Sequence, residues 1–120
     1  MNDEVIGIGT DIELVERFEK LPFSENSGFY RNAFAEEEIQ ECLAKPNTAQ
    51  SFAARFAAKE AIIKGASAAA SLSFRDIVIL NGKATPPNVM ISTNGIRAYV
   101  SLSHTKEHAI AFALVMRGKK

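Results

Sequence analysis

The chain has 120 residues, with 14 basic and 14 acidic side chains, 47% hydrophobic content, one cysteine and no tryptophan. That length and balance fit one soluble globular domain over residues 1–120, able to bury a core without disulfides or a structural metal, and they exclude a disordered chain. A formal net charge of zero excludes attachment to nucleic acid or membrane by bulk charge, but it sums two unlike parts: residues 1–41 carry 11 acids and 3 bases, and residues 42–120 carry 3 acids and 11 bases.

In chain order, Val5-Ile6-Gly7-Ile8-Gly9 predicts a short strand with bulk on alternate positions. Thr10-Asp11-Ile12-Glu13 has the form of a capping box and predicts a helix through Lys20. Residues 21–34 read as irregular, broken by Pro22, Asn26 and Gly28. A second helix is expected over 35–45, with Glu36, Glu37 and Glu38 in the first turn, where the dipole favours acids, and Pro46 as its stop. A third, alanine-rich helix is expected over 50–70. Strands follow at 74–80, 89–92, 98–103 and 109–116. Asn81-Gly82 and Asn94-Gly95 read as hairpin turns, and Pro86-Pro87 keeps the entry to the second of these strands out of a sheet interior. Helices first and strands later give an α+β fold, an N-terminal strand and helices packed on an antiparallel sheet.

No apolar run approaches the roughly 18 residues of a membrane-spanning helix. The acidic start Met1-Asn2-Asp3-Glu4 is unlike the basic start of a signal peptide. Cys42 stands alone, which excludes an internal disulfide or a cysteine-based zinc cluster, and it reads as a small buried apolar residue. The expectation is a cytoplasmic protein with neither nucleic acid nor membrane as partner.

Three segments place charge in unusual company. In Gly7-Ile8-Gly9-Thr10-Asp11, the two-residue period puts both glycines and the acid on one face, with open space in front of Asp11. Asp11 reads either as a ligand in that space or as a helix cap. In the segment from Phe52 to Lys64, a helical projection forms a stripe of Phe52, Phe56 and Ile63 with Lys59 inside it. Arg55 and Glu60 flank that stripe, and Glu60–Lys64 is an i,i+4 pair. An ammonium in an apolar stripe needs partners or must snorkel out. In Tyr99-Val100-Ser101-Leu102-Ser103-His104-Thr105, a strand runs into hydroxyls and a histidine; His104 continues the Val100 and Leu102 face, and Ser103 and Thr105 point the other way. Such an end reads either as a phosphate-holding site or as a polar turn. His108 reads as part of a charged turn. A strand-end acid and a helix acid, both near lysine and arginine, suit magnesium chemistry on a phosphate ester.

Gly7-Ile-Gly-Thr-Asp11-Ile with Arg17, Arg55-Phe-Ala-Ala-Lys59-Glu60-Ala61 with Lys64, and Ser101-Leu-Ser-His104-Thr105 occur in that order. Together they resemble the three signatures of holo-acyl-carrier-protein synthase, a 4'-phosphopantetheinyl transferase family. Phe34-Ala35-Glu36-Glu37-Glu38-Ile39 resembles that family's second-helix entry, so the likeness spans nearly the whole chain. The chain departs from the family pattern in the 65–71 loop and in the 82–87 segment.

The resemblance implies transfer of the 4'-phosphopantetheine arm from coenzyme A to a serine of acyl carrier protein, in fatty acid biosynthesis. It implies Asp11 and Glu60 as Mg2+ ligands, Lys59 beside the pyrophosphate, and Arg55, Lys64 and His104 on coenzyme A phosphates, with Ser103 and Thr105 nearby. It further implies Arg17 and Arg31 as contacts to the acidic carrier, and a homotrimer with sites at subunit interfaces. Two alternatives stand beside it: the same transfer to a polyketide or peptide synthetase carrier, and a non-catalytic coenzyme A-binding module, which would not need both carboxylates. A purely structural oligomer would leave Lys59 without a reason.

Overall fold

The computed structural model describes residues 3–81, 86–93 and 95–118. Strand β1 (Glu4–Leu14) is twice the expected length and runs through the predicted capping box. It pairs antiparallel with β5 (His108–Arg117), from Glu4 opposite Arg117 to Leu14 opposite His108. Thr10 and Glu13 therefore lie in a ladder. A continuous set of interstrand hydrogen bonds outweighs a single cap, worth about 1 kcal/mol. Helix α1 (Val15–Glu19) keeps only five residues, with Leu14 as an N-cap that makes no side-chain bond.

Residues 21–34 are more regular than expected: a 3₁₀ turn at Phe23–Glu25, then α2 (Ser27–Ala33). Helix α3 (Glu36–Leu43) follows, and the Glu38 carboxylate accepts from the backbone N–H of Ala35 at 2.7 Å. Helix α4 (Thr48–Ala66) starts two residues early, because Asn47 accepts from the Gln50 N–H and supplies the cap. Residues 74–76 form a 3₁₀ turn rather than the start of a strand. After it come β2 (Ile77–Leu80), β3 (Asn88–Ile91) and β4 (Ile96–His104).

The described residues form two antiparallel sheets rather than one: β1-β5-β4 and β2-β3. Antiparallel pairing is as expected for β2–β3 and β4–β5. The strands on either side of Asn94-Gly95, β3 and β4, belong to different sheets rather than pairing with each other. Gly95 takes a φ of +82°, which suits a glycine. Asn94, Gly82 of the Asn81-Gly82 turn and the rest of 82–85 lie outside the described residues.

Helix α4 is the axis of the molecule. One side buries Ala57, Ala58, Ala61, Ile62 and Ala66 against both sheets. Its first turns bury Phe52, Ala53 and Phe56 in an aromatic cluster with Phe18, Tyr30 and Phe34. Ring centroids there lie 4.5 Å apart for Tyr30–Phe52 and 5.1 Å for Phe34–Phe52, within the range of favourable aromatic packing. Alanine is frequent in α4 because the strands approach it closely. A Cβ on Gly7 would stand 2.0 Å from the Gly65 carbonyl oxygen, and one on Gly9 2.0 Å from that of Ala61. The open space read in front of the two glycines is thus filled by a helix backbone.

Candidate active site

The glycine contacts fix how β1 and α4 run past each other. Gly7 meets Gly65 and Gly9 meets Ala61, so the two elements are antiparallel. The next residue on that strand face, Asp11, falls beside the preceding turn of the helix, which ends at Glu60. Lys64 leans back toward the helix N-terminus, as long helical side chains do. Its ammonium donates to the Asp11 carboxylate at 3.1 Å and to the Thr10 carbonyl at 2.9 Å. The predicted partner Glu60 is thus replaced by a residue 53 positions away. Asp11 is not a helix cap; it is a strand residue facing α4.

The other Asp11 carboxylate oxygen is buried and has no hydrogen-bond partner among the described residues. A buried carboxylate oxygen is costly to leave bare, so this atom favours a cation or a proton donor, and the Glu13 carboxyl beside it is one such donor when protonated. Glu60 is half-buried on the same ridge as Lys64. Among the described residues no three His, Cys, Asp or Glu side chains gather to hold a metal ion. Asp11 and Glu60 are carboxylates of the kind magnesium takes, since it commonly binds one or two and completes its shell with phosphate oxygens and water. They do not fit a closed structural zinc site.

Glu13, read in the sequence only as the acid of a capping box, shares the Asp11 face of β1. Burial and the Asp11 carboxylate push its carboxyl up to about 7, with Arg17 opposing them. Arg17 donates to Glu13 at 3.0 Å and lies over the Phe56 ring, 4.9 Å from its centroid. This cation is therefore anchored near the carboxylates yet stays exposed at the surface. Arg31 pairs with Glu36 and covers Phe23, also at the surface. The two arginines expected to meet a carrier are both accessible.

Lys59 is elsewhere. It is fully buried, and its ammonium donates to Glu38 at 2.6 Å, to the Ala33 carbonyl at 2.8 Å and to the Phe74 carbonyl at 3.3 Å. These bonds use all three of its donors. Burial pulls the ammonium below its ordinary pKa, and the Glu38 charge acts against that. The second Glu38 oxygen accepts from the Ile79 N–H at 2.7 Å. The expectation that Lys59 stands beside a pyrophosphate is corrected: its ammonium is buried and fully bonded, pinning α4 to α2, α3 and the 74–76 turn, with Glu38 extending the link to β2.

A second constellation lies at the other end of α4, where a pocket is lined by Lys45, Gln50, Ser51, Ala54, Arg55, Asn81, Leu102 and His104. Here β4 delivers His104 to the start of α4. The Gln50 amide nitrogen lies 3.0 Å from His104 Nδ1 and donates to the Thr105 carbonyl at 3.4 Å. A carbonyl only accepts, so this amide end is the donor and Nδ1 the acceptor. The neutral His104 ring then carries its proton on Nε2. Arg55 is only 4% exposed. Lys45 and Gln50 had no signature of their own, because only the fold brings them to Arg55.

Two expected contacts are not gathered here. Ser103 faces Ile110 across the ladder on the opposite side of the sheet. The Thr105 hydroxyl accepts from the N–H groups of Glu107 and His108, closing the β4–β5 turn. His108 itself lies at that turn, opposite Leu14. Cys42 is fully buried, and burial pushes its thiol up to about 12, as suits an inert core residue.

The outer face of β1-β5-β4 was not anticipated as a site. Ile8 (62% exposed), Ile12, Leu14, Tyr99, Ile110 and Phe112 (42% exposed) form one apolar surface there. Isolated exposed apolar residues are ordinary, but a contiguous sheet face of them marks an interface. No helix among the described residues is long and apolar enough to cross a membrane.

Comparison with known proteins identifies the family and the fold. The family model of the 4'-phosphopantetheinyl transferase superfamily matches residues 7–113. The holo-[acyl-carrier-protein] synthase of Chlorobaculum parvum is 38% identical over 112 residues, covering 90% of this chain and 96% of the relative. That of Geobacillus sp. is 38% identical over 117 residues, covering 94% and 98%. The crystal structure of the Bacillus anthracis holo-(acyl-carrier-protein) synthase in complex with CoA (3',5'-ADP) superposes with a TM-score of 0.77 at 30% identity, covering 97% of this chain and 99% of that one. The Helicobacter pylori synthase in complex with coenzyme A gives a TM-score of 0.76 at 31% identity, covering 90% and 98%. With all but its ends matched by the family model and its relatives aligned nearly end to end, the chain belongs to the holo-acyl-carrier-protein synthase family of the 4'-phosphopantetheinyl transferase superfamily.

Proposed function

We propose that the chain transfers the 4'-phosphopantetheine group of coenzyme A to a serine of apo-acyl carrier protein, with magnesium held by Asp11 and Glu60, as a cytoplasmic enzyme of fatty acid biosynthesis. The observation that carries this reading is the state of Asp11. One of its oxygens is held by Lys64 and the other is buried without a partner, on the strand face that meets the Glu60 turn.

Magnesium held there would neutralise and align the pyrophosphate oxygens of coenzyme A. Lys64 keeps a cation beside Asp11 and can turn to a phosphate without crossing the core, because its side chain is 53% exposed. Arg55 and Lys45 gather positive charge at the pocket by the start of α4, where the nucleotide phosphates would bind and His104 offers a ring N–H. The carrier serine attacks the β-phosphorus in line; the bond to the α-phosphate oxygen breaks, and adenosine 3',5'-bisphosphate leaves. The serine proton goes to Asp11, Glu60 or solvent. Positioning and charge neutralisation supply most of the rate in such transfers. Arg17 and Arg31 are the surface cations for an acidic carrier.

The functional unit in this proposal is a homotrimer closed through the apolar outer face of the sheet. That face carries Ser103 and the Thr105 turn, so subunits meeting there would bring these residues to a neighbour's site. Light scattering on the wild type should give three times the chain mass, and Phe112→Asp should lower it. A monomeric wild type would remove the trimer from the reading.

The reaction is tested with coenzyme A, magnesium and purified apo-acyl carrier protein, read by intact mass. A gain of one phosphopantetheine supports the assignment. No gain on a panel of apo-carriers that includes synthetase domains would overturn it.

A further inference from the structure

Arg55 is held from behind. Its Nη2 donates to the Glu41 carboxylate at 2.5 Å. The same Glu41 oxygen accepts from the backbone N–H of Asn81 at 3.0 Å. Glu41 thus ties three elements together: α3, which carries it, α4, which carries Arg55, and the end of β2, where Asn81 leads out. It is not among the residues lining the pocket, whereas Arg55 and Asn81 are. The other terminal nitrogen of Arg55, Nη1, is buried and has no hydrogen-bond partner among the described residues.

A guanidinium has donors on two edges in a fixed plane, and holding one edge fixes the aim of the other. A buried donor without a partner is costly unless a ligand completes it. Lys45, Gln50 and His104 line the same pocket and add two cationic or protonatable groups, so the missing acceptor is an anion. Glu41 carries a negative charge close to that anion's site. On charge alone it would weaken anion binding. Its benefit must therefore be geometric, through the orientation of Arg55 and of the Asn81 backbone.

We propose that Glu41 is a positioning residue for coenzyme A: it holds one edge of Arg55 and the Asn81 N–H so that Nη1 stays directed at a phosphate of the ligand. This rests on the coenzyme A reading above. Glu41 touches no reacting atom, so it acts on ligand binding and leaves the chemical step alone.

The test measures binding of coenzyme A and of adenosine 3',5'-bisphosphate by calorimetry, without carrier, for wild type, Glu41→Gln, Glu41→Ala and Arg55→Lys, alongside KM, kcat and thermal unfolding. In wild type both ligands should bind; failure of both would sink the coenzyme A reading itself, apart from any role of Glu41. Glu41→Ala should weaken binding and raise the coenzyme A KM about tenfold, the scale of one charge-assisted hydrogen bond. Its kcat and its KM for the carrier should stay within about twofold of wild type. Glu41→Gln keeps a carbonyl acceptor in the same place and should restore most of the affinity. Arg55→Lys, which lacks the second edge, should bind as weakly as Glu41→Ala. Tighter binding in both Glu41 variants would mean that its charge merely opposes the ligand, and would overturn the proposal. Equal losses in both KM values together with a lower melting temperature would also overturn it, by making Glu41 a general structural residue.

Discussion

Two lysines on α4, five residues apart, show how alike side chains come to opposite uses. Lys59 is sealed in the interior, with a carboxylate and two carbonyls taking its three donors. Lys64 stands at the surface beside a carboxylate that still has one bare oxygen. The difference is saturation. A buried charge with every bond made is a structural fastening, since any substrate would have to break it. A half-satisfied pair at a mouth is ready to accept another charged group. Burial of a charged residue is therefore not enough to mark a catalytic centre; its remaining bonding capacity must be counted.

The comparison can be broken first at Asp11. Asp11→Ala should cut transfer by about 10³-fold or more, as expected when charge stabilisation of the transition state is lost. Its unfolding midpoint should stay near wild type, and normal turnover at ordinary magnesium would defeat the metal assignment. Lys59→Met should do the reverse. It strands the Glu38 carboxylate in the interior, at a cost of about 3–5 kcal/mol in denaturant unfolding. Adding Glu38→Gln should recover part of that loss, while a fully stable Lys59→Met would contradict the fastening role. Gly9→Ala lies between the two. Its methyl group would overlap the Ala61 carbonyl, so β1 must shift, costing about 1–3 kcal/mol and activity as well. The smallest change is expected for Lys64→Ala. Its stability should remain within about 1 kcal/mol of wild type, as for other exposed pairs, so any large drop in transfer reports on catalysis.

Much of this was legible in the sequence, for a physical reason. The α4 segment has a helical stripe long enough to identify, and residues 109–116 of β5 are an unbroken apolar run of strand length. The anomaly of Lys59 inside that stripe was visible too. Its partner was not, because Glu38 lies 21 residues away within a run of three glutamates that look alike. The start of α1 was misplaced because Thr10-x-x-Glu13 is a sound local signal, overruled by a strand nearly a hundred residues later. Asp11 and Glu60 stood out through their motifs, and the fold added that Asp11 faces α4 with one oxygen lacking a hydrogen-bond partner among the described residues. Lys45, Gln50, Glu41 and Glu13 escaped notice as site residues because each gains its meaning only through space.

The contact of Gly7 and Gly9 with Gly65 and Ala61 has a consequence for how the proposed site could persist while the sequence around it changes. Most pairs of elements are spaced by side chains, so a substitution in the core alters the gap by a methylene or two. Here main chain rests on main chain, and the gap is set by van der Waals radii that no substitution at other positions can alter. The distance from Asp11 to the Glu60 turn is gauged by the polypeptide itself. The surrounding interior can drift in composition while that ruler holds its length, and only the residues that form the ruler are denied a side chain.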